Sequence, residues 1–326
     1  MQRRVGSGAA RRFATAAGRV RDAIGEKGEA LRIVRDFVET TPFDLVLPER
    51  MRAPILVDSP HSGDAYPAEF LAMSRLDQRA IRRSEDAFVD RLCLPPAGEG
   101  LATLAARFPR AYVDVNREAY ELDARMFVGR LPPGANTTSA RVAGGLGTIP
   151  RIVSERDEIY GGPIPIGEAI ARIETLYRPF HAALAGALAA IHGRFGMAVL
   201  IDCHSMPTAT KAAGQEARAD VVLGDRNGTS CDPGLTDLVS AALRSAGYRV
   251  ARNKPYAGGF ITEHYGWPAR GVHALQIEIA RGLYMNESRM EPTGGFETFR
   301  ADFLRLLRDL ADGWRGVFGI EPLAAE

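Results

Sequence analysis

The chain has 326 residues, 46% of them hydrophobic and 25% charged, a balance that excludes a disordered or fibrous protein. Lys and Arg number 41 against 40 Asp and Glu, so a net charge of +1 gives no global field to draw nucleic acid or anionic lipid. No apolar run approaches the roughly 20 residues that span a bilayer, which leaves no expected membrane partner. Cys93, Cys203 and Cys231 are far apart and form no CxxC pair. That excludes a disulfide framework and a Cys-rich zinc module and favours a reducing cytoplasm. Only Lys27, Lys211 and Lys254 are lysine, so arginine is abundant and any single arginine is weak evidence for a site.

Residues 1–28 are rich in Arg, Ala and Gly, with their first acid at Asp22, and read as a mobile basic arm. Residues 29–326 read as a single α/β domain. APILVDSP (53–60) is a short, partly β-branched run closed by Pro60, the pattern of a buried strand. SEDAFVDRL places Glu85, Asp86 and Asp90 within six positions on an expected helix, where Asp86 and Asp90 would share a face at i, i+4. LATLAARF and AYVDVN flank Pro109 and read as two further strands. The Gly- and Pro-rich segment from Gly129 to Pro165 reads as either a binding loop or a surface excursion. Glu168 to Arg194 has helical periodicity, with Pro179 kinking or dividing it and Gly196 ending it. MAVLIDCHS is a buried strand. Helix 235–245 leads into YRVAR, and VHALQIEIA leads into helix 296–314. This alternation predicts a mixed, mainly parallel central sheet with helices on both faces.

Parallel sheets bind ligands at the carboxyl ends of their strands. His61 follows ILVDSP, His204 follows VLIDC, and Glu278 lies late in HALQIEIA. Two imidazoles with a carboxylate form a familiar catalytic zinc set that leaves one position open, and the 84–90 cluster could supply the acid. His181 and His192, on the long helix, read as packing or surface residues. Cys203 and His204 are adjacent on a strand and point to opposite faces, so they do not form a nucleophile and base pair. No GxSxG elbow and no phosphate-binding glycine loop is present. In RFPRAYVDVNRE, Arg110, Asn116 and Arg117 suit a carboxylate-bearing substrate, because a guanidinium binds a carboxylate with two parallel hydrogen bonds.

SPHSG, SEDAFVDRL, YVDVNRE, YRPFHAAL, IDCHSMP and NKPYAGGFITEHYGWP followed by HALQIEIARGLYM occur in this order between Pro54 and Met285. Together they resemble the N-formylglutamate amidohydrolase family. The resemblance implies a zinc-carboxypeptidase-like or aspartoacylase-like fold and one Zn2+ per chain held by His61, His204 and an acid of the 84–90 cluster. A carboxypeptidase-type pattern puts that acid three residues after the first histidine, where Asp64 stands, but the resemblance points instead to the SEDAFVD segment, with Asp86 favoured and Glu85 the alternative. It also implies Glu278 as general base, Asn116 and Arg117 as anchors for a substrate carboxylate, and Arg110 as a stabiliser of the oxyanion. The implied reaction converts N-formyl-L-glutamate to formate and glutamate. The alternatives are the same chemistry on another N-acyl amino acid or short peptide, or a non-catalytic metal-stabilised binding protein. Asp202, two residues before His204, either orients that ligand or only marks the strand's end. No pattern decides whether the chain forms a homo-oligomer.

Overall fold

The computed structural model describes residues 32–34, 41–154, 157–209 and 218–320; the expected arm over 1–28 lies outside them. The central sheet has seven strands: β1 (Phe43–Val46), β2 (Ile55–Ser59), β3 (Ala102–Ala106), β4 (Ala198–Met206), β5 (Val221–Gly224), β6 (Val250–Arg252) and β7 (Val272–Ala280). Their order is β6-β5-β7-β4-β2-β3-β1. All pairs are parallel except β1 with β3 and β5 with β7. Every residue of β2 and β4 is buried, which explains why they read as continuous apolar runs: both faces of the sheet are covered.

Odd-numbered side chains of the middle strands, such as Ile55, Val57, Val199, Ile201, Leu275 and Ile277, share one core with helices α1 (Val89–Cys93), α3 (Pro233–Ser245) and α5 (Gly295–Val317). Even-numbered ones, Leu56, Leu200 and Ala274, pack in a second core with helix α2 (Arg178–Phe195). Each fully buried Leu, Ile or Phe in these layers contributes about 1.5–3 kcal/mol. Along the even face the apolar residues give way to Asp58 on β2, Asp202 and His204 on β4, and Gln276 and Glu278 on β7. The register sets Asp58 beside Asp202 and Glu278 beside His204. Thus one face of the sheet is apolar at the start of its strands and chemical at their carboxyl ends.

Two sequence expectations change. AYVDVN is not a strand but a series of turns, because the Asp114 side chain accepts from the Asn116 backbone N–H (2.9 Å) and draws the chain out of extended pairing. Asp86 is not on a helix. It lies between a 3₁₀ turn (Ile81–Ser84) and α1, and Phe88, in the left-handed region at φ 66°, separates it from the helix that carries Asp90. The long helical period carries an irregularity where Pro179 is expected to act: Ile166–Arg172 passes through a π-turn, Ile173–Tyr177, into α2 with the backbone right-handed helical throughout, so the helix is not divided. Gly196, at φ 77°, ends that helix. The described residues belong to one compact unit, and no helix among them is long and apolar enough to cross a membrane.

Candidate active site

His61 leaves the end of β2 in the SPHSG turn. Gly63 is required there because a Cβ would lie 2.3 Å from the Phe108 carbonyl oxygen. The His61 carbonyl accepts from the Asp86 N–H (3.0 Å), which fixes the SEDAFVD turn beside it. His204 comes from β4. His61, Asp86 and His204 are all buried, and one ligand atom from each lies within 4.8 Å of the others. Asp86 Oδ2 is 3.0 Å from His204 Nδ1 and 3.5 Å from His61 Nδ1. Glu85 faces elsewhere, held by Arg82 (2.8 and 2.9 Å) and by the Tyr66 hydroxyl (3.1 Å).

The donor set fits a divalent metal ion on chemical grounds. His61 Nε2 donates to Asp114 Oδ1 (2.8 Å), which leaves the Nδ1 lone pair facing the cluster, and that buried Nδ1 has no hydrogen-bond partner. His204 Nε2 lies 2.8 Å from Asp202 Oδ1 and 3.3 Å from Asn116 Nδ2, so a carboxylate and an amide stand behind this ring. A carboxylate behind each imidazole fixes its tautomer and raises its basicity, the usual outer arrangement of a metal-ligating histidine. Asp86 is oriented in turn: its Oδ1 accepts from Ser205 Oγ (3.0 Å) and lies 3.4 Å from Arg281 Nη2, leaving Oδ2 for the cluster. Arg281 is itself locked by the Arg83 and Glu85 carbonyls and by Ser205.

Electrostatics agree with this wiring. Burial disfavours the charged His204 ring, but Asp202 and Asp86, one beside each nitrogen, hold its pKa well above the ordinary histidine value. Burial opposes ionisation of Asp86 too, yet His204, His61 and Arg110 keep it well below the usual carboxylate range. Glu278 is pushed up to about 7, first by burial and then by Asp86 and Asp202, against the opposing pull of His204 and Arg110. Gln276 Nε2 donates to Glu278 Oε1 (2.9 Å) and holds the carboxyl toward the cavity.

A cavity of about 1160 Å³ opens over these groups and is lined by His61, Arg110, Asn116, Arg117, His204 and Glu278. The structure therefore brings all the candidate residues together, Asp86 standing just beneath. Arg110 Nη2 donates to Asp114 Oδ2 (2.9 Å), and its Nη1 is 4.0 Å from Asp86. Asn116 Oδ1 accepts from the Ile261 N–H (2.7 Å), an approach that Gly259 permits because a Cβ there would lie 2.3 Å from the Asn116 amide. Arg117 is less free than a bare carboxylate fork: Nε donates to Leu146 O (2.7 Å), Nη1 to Asn116 O (2.7 Å), and Nη2 lies 3.3 Å from Asp114. The 129–165 segment supplies Arg141, Leu146, Pro150 and Val153 to the cavity wall, which favours the binding-loop reading.

Sequence reasoning missed Asp114, Ser205 and Arg281, whose tasks arise only from tertiary contacts. It also left His181 as a packing or surface residue. On the structure His181 Nε2 donates to Val115 O (2.8 Å) and the Tyr177 hydroxyl donates to Arg117 O (2.6 Å). These two residues, one helical turn apart, pin the backbone on either side of Asn116. Their i, i+4 spacing in YRPFHAAL was the available signal.

The sequence profile of the N-formylglutamate amidohydrolase family matches residues 53–285. The chain belongs to this family. It is an amidohydrolase by that membership. The N-formylglutamate deformylase of Pseudomonas putida is 30% identical over 240 residues, covering 73% of this chain and 84% of that protein. The enzyme of the same name from Pseudomonas aeruginosa is 31% identical over 242 residues, covering 73% and 85%. Among solved structures, the N-formylglutamate amidohydrolase of Ralstonia eutropha JMP134 is 39% identical with a TM-score of 0.79, covering 84% of this chain and 99% of that one.

The oriented histidines of this family member give one direct test. Asp114→Asn is expected to weaken divalent-ion affinity by about 10- to 100-fold, the usual effect of removing an outer partner. Competition titration against a chromophoric chelator measures it, and an unchanged affinity would reject the orienting role of Asp114.

Proposed function

We propose that the protein hydrolyses the amide bond of N-formyl-L-glutamate to formate and glutamate, with one zinc ion held by His61, Asp86 and His204. The observation that carries this reading is the convergence of two carboxylate-backed imidazoles and Asp86 beneath a cavity that Glu278 faces. When bound, zinc would supply Lewis acidity, polarising the acyl oxygen and lowering the pKa of a water toward about 7.

Glu278 takes a proton from the attacking water as its oxygen bonds to the formyl carbon. It returns that proton to the nitrogen as the C–N bond breaks, giving formic acid and the neutral amine, and the acid's proton passes to the amine so that formate and the ammonium form of glutamate leave. Its position near neutrality suits both halves of this exchange. Arg110, tethered to Asp114, presents its remaining donors to the oxygen that becomes negative. Arg117 Nη2 and the Asn116 amide fix the α-carboxylate. Membership in the family and the two deformylase relatives support N-formylglutamate as the substrate.

A second reading, the same chemistry on a larger N-acyl group or short peptide, is favoured by one observation: the cavity, at about 1160 Å³, exceeds the space a formyl amino acid needs. One screen of zinc-loaded protein against N-formyl, N-acetyl and N-succinyl amino acids, read as release of each acid, tests both. Fastest release of formate from N-formylglutamate supports the proposal. Fastest release of another acid supports the second reading, and no chelator-sensitive hydrolysis at all would mean a binding protein.

A further inference from the structure

We propose that Arg141 is the specificity residue that receives the side-chain carboxylate of the substrate, so that this site selects N-acyl derivatives of dicarboxylic amino acids. This rests on the deformylase reading and deepens it.

The cavity is lined by six arginines, Arg83, Arg110, Arg117, Arg141, Arg226 and Arg281. Five have tight partners. Arg83 pairs with Asp157, Arg110 with Asp114 (2.9 Å), Arg226 with Glu263 (2.7 Å), and Arg281 with Ser205 and two carbonyls. Arg117 is tied to Leu146 O, Asn116 O and Asp114. Arg141 differs. Its guanidinium makes no hydrogen bond to a described residue, and its nearest acid, Glu121, is 3.9 Å away with an Oε2 that itself has no hydrogen-bond partner. Its donors make no hydrogen bond and only a 3.9 Å ion pair with Glu121, which leaves the guanidinium able to take a carboxylate from the cavity it lines.

Its placement is built rather than incidental. Arg141 sits on the short helix Ala140–Ala143, whose N-cap Ser139 accepts from the Val142 N–H (3.0 Å) and donates to Glu121. The same segment is bound to the substrate turn at two points, Leu146 O accepting from Arg117 Nε and Thr148 O accepting from the Asp114 N–H (2.8 Å). Arg110 and Arg117 therefore share one carboxylate, Asp114, and Arg141 adds a third positive charge to the same cavity wall. A substrate with one carboxylate neutralises part of that cluster; a second carboxylate at Arg141 completes it. The repulsion between Arg117 and its two arginine neighbours, which adds to burial in disfavouring the Arg117 charge, points the same way.

The test compares kcat/KM for N-formylglutamate with that for its neutral near-isostere N-formylglutamine, in wild type, Arg141→Met and Arg141→Lys. Wild type is expected to prefer the dicarboxylate. Arg141→Met should lower the ratio by about 10- to 100-fold, the loss of one charge-assisted carboxylate contact, mainly through KM. Arg141→Lys should recover part of it as a point charge. The neutral substrate reports on folding within the same experiment. A wild type that releases formate while Arg141→Met keeps its preference within about twofold overturns this inference alone. A wild type that releases no formate from either substrate overturns the deformylase reading and the inference with it.

Discussion

Glu278→Gln is expected to bind zinc with wild-type stoichiometry and to lose about 10²- to 10⁴-fold in kcat, the usual contribution of a positioned general acid–base. The amide keeps the volume of the side chain and its reach toward Gln276, so the β7 register and the second core should be undisturbed. What it removes is the only carboxylate that lines the cavity from β7, held by a hydrogen bond from Gln276 (2.9 Å) and pushed up to about 7 by burial. Because the group acts on both proton transfers, kcat and kcat/KM should fall together and KM should move little. Steady-state kinetics with metal analysis on the same preparation checks this. A variant that keeps full turnover would show that another group carries the proton.

The second large effect is expected from the His61, Asp86 and His204 group. In wild type, zinc at 100 times its dissociation constant should stabilise the fold by about 2.7 kcal/mol, seen as a rise in the urea midpoint that a chelator reverses. His204→Ala should lose that increment and should lose turnover that added zinc does not restore. The cost to zinc affinity should exceed the 10- to 100-fold that outer partners carry, because a ligand is lost rather than its support. The variant also leaves Asp202 and Asp86 facing each other's charge across a buried gap, so its zinc-free fold should be weaker than wild type. A variant whose midpoint rises with zinc as much as wild type would place the ion elsewhere.

The sheet and the strand-end residues were legible because burial on both faces leaves a simple signature: apolar runs that stop at Pro60, or turn polar at Asp202 and His204 and again at Gln276 and Glu278. The alternation also separated Cys203 from His204, and the structure keeps them on opposite faces. Asp86 was harder. EDAFVD has helical spacing, and nothing local reveals that Phe88 takes a left-handed backbone and leaves Asp86 in the preceding turn. AYVDVN alternates like a strand, but its polar positions are side chains that hydrogen-bond their own backbone and Asp114 in particular has four clients: His61, Arg110, Arg117 and the Asn116 N–H. Arginine abundance hid which guanidinium matters, since Arg281 supports Asp86, Arg110 and Arg117 share Asp114 and Arg141 only approaches Glu121 at 3.9 Å, and only three-dimensional partners tell them apart.

Anomalous diffraction at the zinc edge, from crystals of zinc-loaded protein, tests the arrangement most directly. A single peak is expected, about 2.0–2.2 Å from one nitrogen each of His61 and His204 and from an oxygen of Asp86, with a further position open to the cavity. A peak at any other set of side chains, or none with zinc in excess, would contradict it.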